Sequence, residues 1–157
     1  MLDTSFLIRL VSPAADYHDV AEQYYREFVK RGIPMYVSSI ALGEFFTRHT
    51  SDELPDGIRN LAFNPFDALK TGIFAKILVA EQRAGVRKAG ERDIIKNDVM
   101  LFAQTENLNA RFFMTTDKDS AKYISTISKQ EGIHFEICDI SKTSVEEHFG
   151  LLLSPPE

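Results

Sequence analysis

Five carboxylates sit in this 157-residue chain at places that suit chemistry better than packing. Asp117 and Asp119 follow Arg111-Phe-Phe-Met-Thr-Thr, whose apolar and β-branched residues read as a buried strand. Open α/β sheets hold their ligands at that carboxyl end of the strands. Glu44 and Asp98 fall on the apolar stripes of two expected helices, where a purely structural sequence would carry leucine. Asp3 lies in the opening segment and shares a face with Ser5 if that segment is extended. An ionised carboxylate at a helix–core boundary is costly unless it is paired or bound to metal.

Taken singly, each acid has a plainer explanation. Glu44 can pair with Arg48 one turn on, and Asp98 with Lys96 or a distant base. Asp117 can serve a turn and Asp3 a helix cap. One site accounts for all four together. If Asp3, Glu44, Asp98 and Asp117 converge, their repulsion demands a cation, and an oxygen-rich shell favours Mg²⁺ or Mn²⁺ as one ion or two. Water activated by that metal would hydrolyse phosphodiesters, two ions about 4 Å apart stabilising both attacking and leaving oxygens.

Other chemistries find no support. His18, His49, His134 and His148 show no zinc spacing, and no Gly-rich phosphate loop is present. The single cysteine, Cys138, lies in an apolar run and reads as a buried structural thiol, which suits a reducing cytoplasm. No apolar run approaches the ~20 residues of a membrane span, and no signal-peptide pattern opens the chain. The net charge of −5 argues at first against a nucleic-acid partner. With four acids committed to metal, however, 18 basic residues face 19 other acids, so the balance does not decide the question.

Strand and helix signals alternate along the chain. Residues 2–8 read as a short strand passing into a turn or helix start. An amphipathic helix follows Pro13 and Asp16, with Val20, Tyr24 and Phe28 in one stripe and Ala21, Tyr25 and Val29 beside it, closed by Gly32 and Pro34. Residues 35–37 read as a strand. Ser38 or Ser39 caps a helix through about Arg48 with Ile40, Ala41 and Phe45 inward. Residues 49–66 are turn-rich and give no regular pattern. A helix over about 68–83, capped by Pro65 and Asp67, places Leu69, Ile73, Ile77 and Ala80 inward. Another runs from near Asp93 to about Asn107, with Ile94, Ile95, Leu101, Phe102, Thr105 and Leu108 on its inner stripe. After the acid-tipped strand come a helix over 120–129 with Ala121, Ile124 and Ile127 inward and a last strand over 135–140. The pattern predicts one α/β domain over residues 1–150 around a mostly parallel sheet. Residues 151–157 form a tail that docks by its leucines.

The densest basic stretch is Arg83, Arg87, Lys88, Arg92 and Lys96, immediately before Asp98. Such charges hold phosphates, and guanidinium clamps an oxygen with two bonds. Arg87, Lys88, Arg92 and Lys96 are therefore candidate contacts for nucleic-acid phosphates, or else a solvated loop with interspersed Glu81, Glu91 and Asp93, and Arg9, Arg48 and Lys118 flank other acids.

The order Leu2-Asp3-Thr4-Ser5, Ser38 and Ser39 with Glu44 in a helix, Asn97-Asp98, and Thr115-Thr116-Asp117 resembles the PIN domain, the family that includes VapC-type toxins of toxin–antitoxin pairs. The resemblance covers about residues 1–140. It implies a three-layer fold, a central parallel sheet flanked by helices, and metal-dependent endoribonuclease cleavage of single-stranded or structured RNA. It also implies that Asp3, Glu44, Asp98 and Asp117 are catalytic and metal-binding. Asp119 would be a further metal ligand, and Thr4, Ser5 and Thr115 supporting polar residues. An antitoxin protein and a homodimer are implied partners. The family often has an aromatic three residues after the last acid, where this chain has Ser120. The alternative is a catalytically silent PIN-like module that binds RNA or a protein. A phosphoryl-transfer receiver, which wants adjacent acids after the first strand and a lysine after a late strand, fits poorly because Lys118 directly follows Asp117.

Overall fold

Residues 1–3 run extended through the middle of a parallel sheet. Their neighbours are β1 (Met35–Ser38) and β3 (Phe112–Thr115), each of which pairs outward in parallel with β2 (Ile58–Leu61) and β4 (Glu136–Asp139). Leu2 forms parallel bridges to both Val37 and Met114, so the order is β2, β1, residues 1–3, β3, β4. The Leu2 N–H donates to the Tyr36 carbonyl at 2.7 Å and the Asp3 N–H to the Met114 carbonyl at 3.0 Å. Leu2, Val37 and Met114 are buried, as central parallel strands require. The computed structural model describes residues 1–83 and 92–150, and of residues 82, 83 and 92–96 it describes the backbone alone.

Seven described helices accompany the sheet: α1 (Thr4–Val11), α2 (His18–Lys30), α3 (Ser39–Phe45), α4 (Pro65–Arg83), α5 (Arg92–Asn107), α6 (Ser120–Ile127) and α7 (Val145–Phe149). Successive residues of β3 point to opposite faces. Phe113 meets Phe102 of α5 with ring centroids 5.1 Å apart, whereas Phe112 meets His148 of α7 at 4.4 Å. Helices thus cover both faces, and the expected three-layer α/β architecture is what the chain adopts. α7 packs with α2 through Tyr24–Phe149 and Phe28–Phe149 contacts.

Local chemistry sets the helix starts. The Asp3 carboxylate accepts from the Thr4 N–H at the head of α1, and Ser38 Oγ accepts from the Ile40 N–H at the head of α3. At α4 the cap is Asn64, not Pro65 or Asp67. Its Oδ1 accepts from the Phe66 and Asp67 N–H groups, while Asp67 returns a carboxylate to the Asn64 N–H. Pro65 then occupies the first helical position, where its missing N–H costs nothing.

Several expectations need correction. Leu69 and Ile73 are exposed, as is Ala80; the inward side of α4 is Phe74, Ile77 and Leu78. This helix is apolar on both sides, so periodicity alone could not choose the buried one. Val29 and Ala121 are also exposed. α3 ends at Phe45, short of Arg48. Residues 49–66 contain a 3₁₀ turn (Ser51–Glu53) and β2, a half-exposed edge strand whose Ile-Arg-Asn-Leu sequence lacks alternation. α7 went unread despite its capping box, in which Ser144 and Glu147 exchange side-chain bonds to each other's N–H. The leucine tail, 151–157, lies outside the described residues, as do Arg87 and Lys88. The side chains of Arg92, Ile94, Ile95 and Lys96 do too.

Candidate functional site

The carboxyl ends of β3 and of the central segment bring Asp3, Ser5 and Thr115 into one hydrogen-bonded group. Asp3 Oδ2 accepts from Ser5 Oγ at 2.7 Å and from Thr115 Oγ1 at 2.8 Å, and its Oδ1 accepts from the Thr4 N–H at 2.7 Å. Each hydroxyl accepts in turn from the backbone beyond β3: Ser5 Oγ from the Thr116 N–H and Thr115 Oγ1 from the Asp117 N–H, both at 2.9 Å. Chains of N–H to hydroxyl to carboxylate polarise one another and fix the ring of atoms. Burial raises the Asp3 carboxyl above its ordinary range, and the bonds from Ser5, Thr115 and Thr4 oppose that rise. Asp117 closes a turn by accepting the Asp119 N–H at 3.0 Å. The cap at Asp3 and the turn at Asp117 are therefore real, and neither excludes a second role.

Glu44 reaches this group from α3. The Ser38 cap starts α3 directly from β1, which places Glu44 nearly two turns into the helix beside α1 and α5. Thr4 Oγ1 lies 2.7 Å from Glu44 Oε2 and 3.3 Å from the Ala41 carbonyl; with one hydrogen to give, it serves the nearer, charged acceptor. Glu44 Oε1 accepts from the Asn97 amide of α5. Both partners among the described residues are neutral, and the expected alternative, a bridge to Arg48, does not form. In the sequence, Asn97 stands out only as the neighbour of Asp98.

Asp98 joins through charge. Its Oδ2 is buried without a hydrogen-bond partner. Burial, then the charges of Asp3, Asp117, Glu44 and Asp119, push its carboxyl up to about 7. Asp98 therefore feels the charge of the other four acids singled out from sequence. Among the described residues, though, no three His, Cys, Asp or Glu side chains are close enough to hold a metal ion as they stand. The donor set still suits a hard divalent cation: only oxygens, four of the acids repelling Asp98, with one Asp98 oxygen orphaned. A cavity of about 480 Å³ lies elsewhere, between Met35, Phe112 and Phe149, and none of the five acids lines it.

No curated protein sequence gives a significant match. Among solved structures the fold is similar to the crystal structure of Mycobacterium tuberculosis VapC20, described as a Sarcin-Ricin loop cleaving toxin. That match has TM-score 0.50 and 16% identity, and covers 77% of this chain and 92% of that one. The family model described as PIN domain matches residues 1–125, from the central segment through most of α6. The chain belongs to the PIN domain family.

Proposed function

We propose that this protein is a metal-dependent endoribonuclease, the toxin of a toxin–antitoxin pair. The observation that carries the reading is Asp98: a carboxylate with a buried, partnerless oxygen, pressed by four other acids toward a proton or a cation. Asp3, Glu44, Asp98 and Asp117 would hold Mg²⁺ or Mn²⁺, with Asp119 further out. When bound, such a metal lowers the pKa of water and offsets charge on the phosphate. The chain's own contribution is position. Ser5 and Thr115 fix Asp3, the turn after β3 fixes Asp117, and α3 and α5 carry Glu44 and Asp98. Arg87, Lys88, Arg92 and Lys96 are the proposed phosphate contacts; Arg92 and Lys96 belong to α5, the helix that also carries Asp98.

The toxin whose fold it shares is described as cutting a Sarcin-Ricin loop, which makes RNA the substrate to test first and an antitoxin protein the partner to seek. A homodimer belongs to the same reading. α4 leaves Phe66, Leu69, Ile73 and Val79 exposed, apolar surface of the kind a protein partner covers. None of the described helices is long and apolar enough to cross a membrane. The buried free thiol of Cys138 suits a cytoplasmic setting.

The second reading is a silent module that binds RNA or a protein. What favours it is the absence, among the described residues, of a carboxylate group already tight enough for an ion. Incubation with end-labelled RNA, single-stranded and hairpin, separates the two. The nuclease reading expects cleavage with Mg²⁺ or Mn²⁺, none with EDTA, and a loss of about 100-fold or more in Asp117→Asn. Binding without cutting under every metal condition favours the silent module, and cutting in EDTA ends the metal mechanism.

A further inference from the structure

Among the described residues Glu44 is held by two uncharged donors, and their positions in the chain carry a consequence for the metal. We infer that Asn97 is a positioning residue that, opposite Thr4, fixes the Glu44 carboxylate for the cation; the inference rests on the metal reading above. Thr4 serves Oε2 and Asn97 serves Oε1, so each oxygen spends one acceptor site and keeps another. A lysine or arginine in place of Asn97 would hold Glu44 equally well, but its charge would compete with the cation. An amide orients the carboxylate and leaves its charge intact.

The two donors are also chain neighbours of two other acids. Thr4 follows Asp3 at the head of α1, and Asn97 precedes Asp98 within α5. By binding both, Glu44 ties α1 and α5 together at the residues next to Asp3 and Asp98, whose charges oppose that approach. A neutral clamp of this kind lets acids stand near one another before any ion arrives, which lowers the reorganisation needed on binding.

The test is Mn²⁺ affinity, measured by calorimetry and thermal shift on the full chain. Asn97→Leu keeps the bulk and removes the donor; Asn97→Gln keeps an amide. The dissociation constant for Mn²⁺ is expected to rise about tenfold or more in Asn97→Leu and to return most of the way in Asn97→Gln. Cleavage by Asn97→Leu should recover at saturating Mn²⁺. Should Asn97→Leu fail to fold, Asn97→Ala must show the same loss. A merely structural bond would lower the metal-free melting temperature and leave the Mn²⁺ constant native; that result overturns the inference. Native protein that takes up no Mn²⁺ sinks the metal reading and this inference together, whereas native uptake matched by Asn97→Leu sinks the inference alone.

Discussion

Asp98 bears a charge that its surroundings oppose. Burial and four neighbouring carboxylates raise its proton affinity to about 7, and one of its oxygens has no donor. Asp98→Asn removes the repelled charge at little change in volume. In EDTA at neutral pH this variant should melt about 3–6 °C higher than the native chain, because its amide is not repelled by Asp3, Asp117, Glu44 or Asp119. Calorimetric scans check it, and a lower melting temperature would mean that the acids do not press on Asp98. Glu44 and Asp98 were legible in the sequence because a carboxylate on an apolar stripe contradicts its surroundings, and such conflicts mark functional positions. Asn97 was not legible in the same way. An amide on a helix breaks no pattern, and its role appears only when α3 and α5 are seen together.

Among the elements, the same distinction holds. α2 and α5 were readable because each presents one consistent period, and β1 and β3 because each is a short apolar run. α4 was found but turned the wrong way, since Phe66, Leu69 and Ile73 compete with Phe74, Ile77 and Leu78 for the inward side. β2 is a four-residue edge strand whose side chains face little core, so the alternation that would announce it is missing. α7 has only five residues, too few for periodicity, though its Ser144–Glu147 box was there to be read. α7 also carries a testable consequence. His148 sits against Phe112, Phe149 and Tyr24, and its Nε2 is buried without a partner. Burial holds its imidazole below the ordinary histidine range, with Glu136 opposing. The unfolded chain therefore takes up the proton first, and stability falls as pH drops below about 6.5. Between pH 7 and 5.5 the native melting temperature should fall about 2 °C further than that of His148→Phe, which keeps the ring contacts without a titrating group. Equal slopes for the two proteins would show that His148 is not strained by protonation.

At the scale of the whole molecule, the site exists only in the folded chain. Asp3, Glu44, Asp98 and Asp117 come from the central segment, α3, α5 and the turn after β3, and parallel pairing aligns the carboxyl ends of the central segment and β3. That pairing was legible because strand and helix signals alternate along the sequence. The place of residues 1–3 at the middle of the sheet was not, since a single bridging residue has no period to read. The central claim is that these four carboxylates act as one cation site. Calorimetric titration of Mn²⁺ into the native chain, Glu44→Gln and Asp117→Asn tests it most directly. The account predicts one or two ions per native chain and an affinity lower by at least about 100-fold in each variant. A native chain that takes up no Mn²⁺, or variants that bind it as tightly as the native chain does, would contradict it.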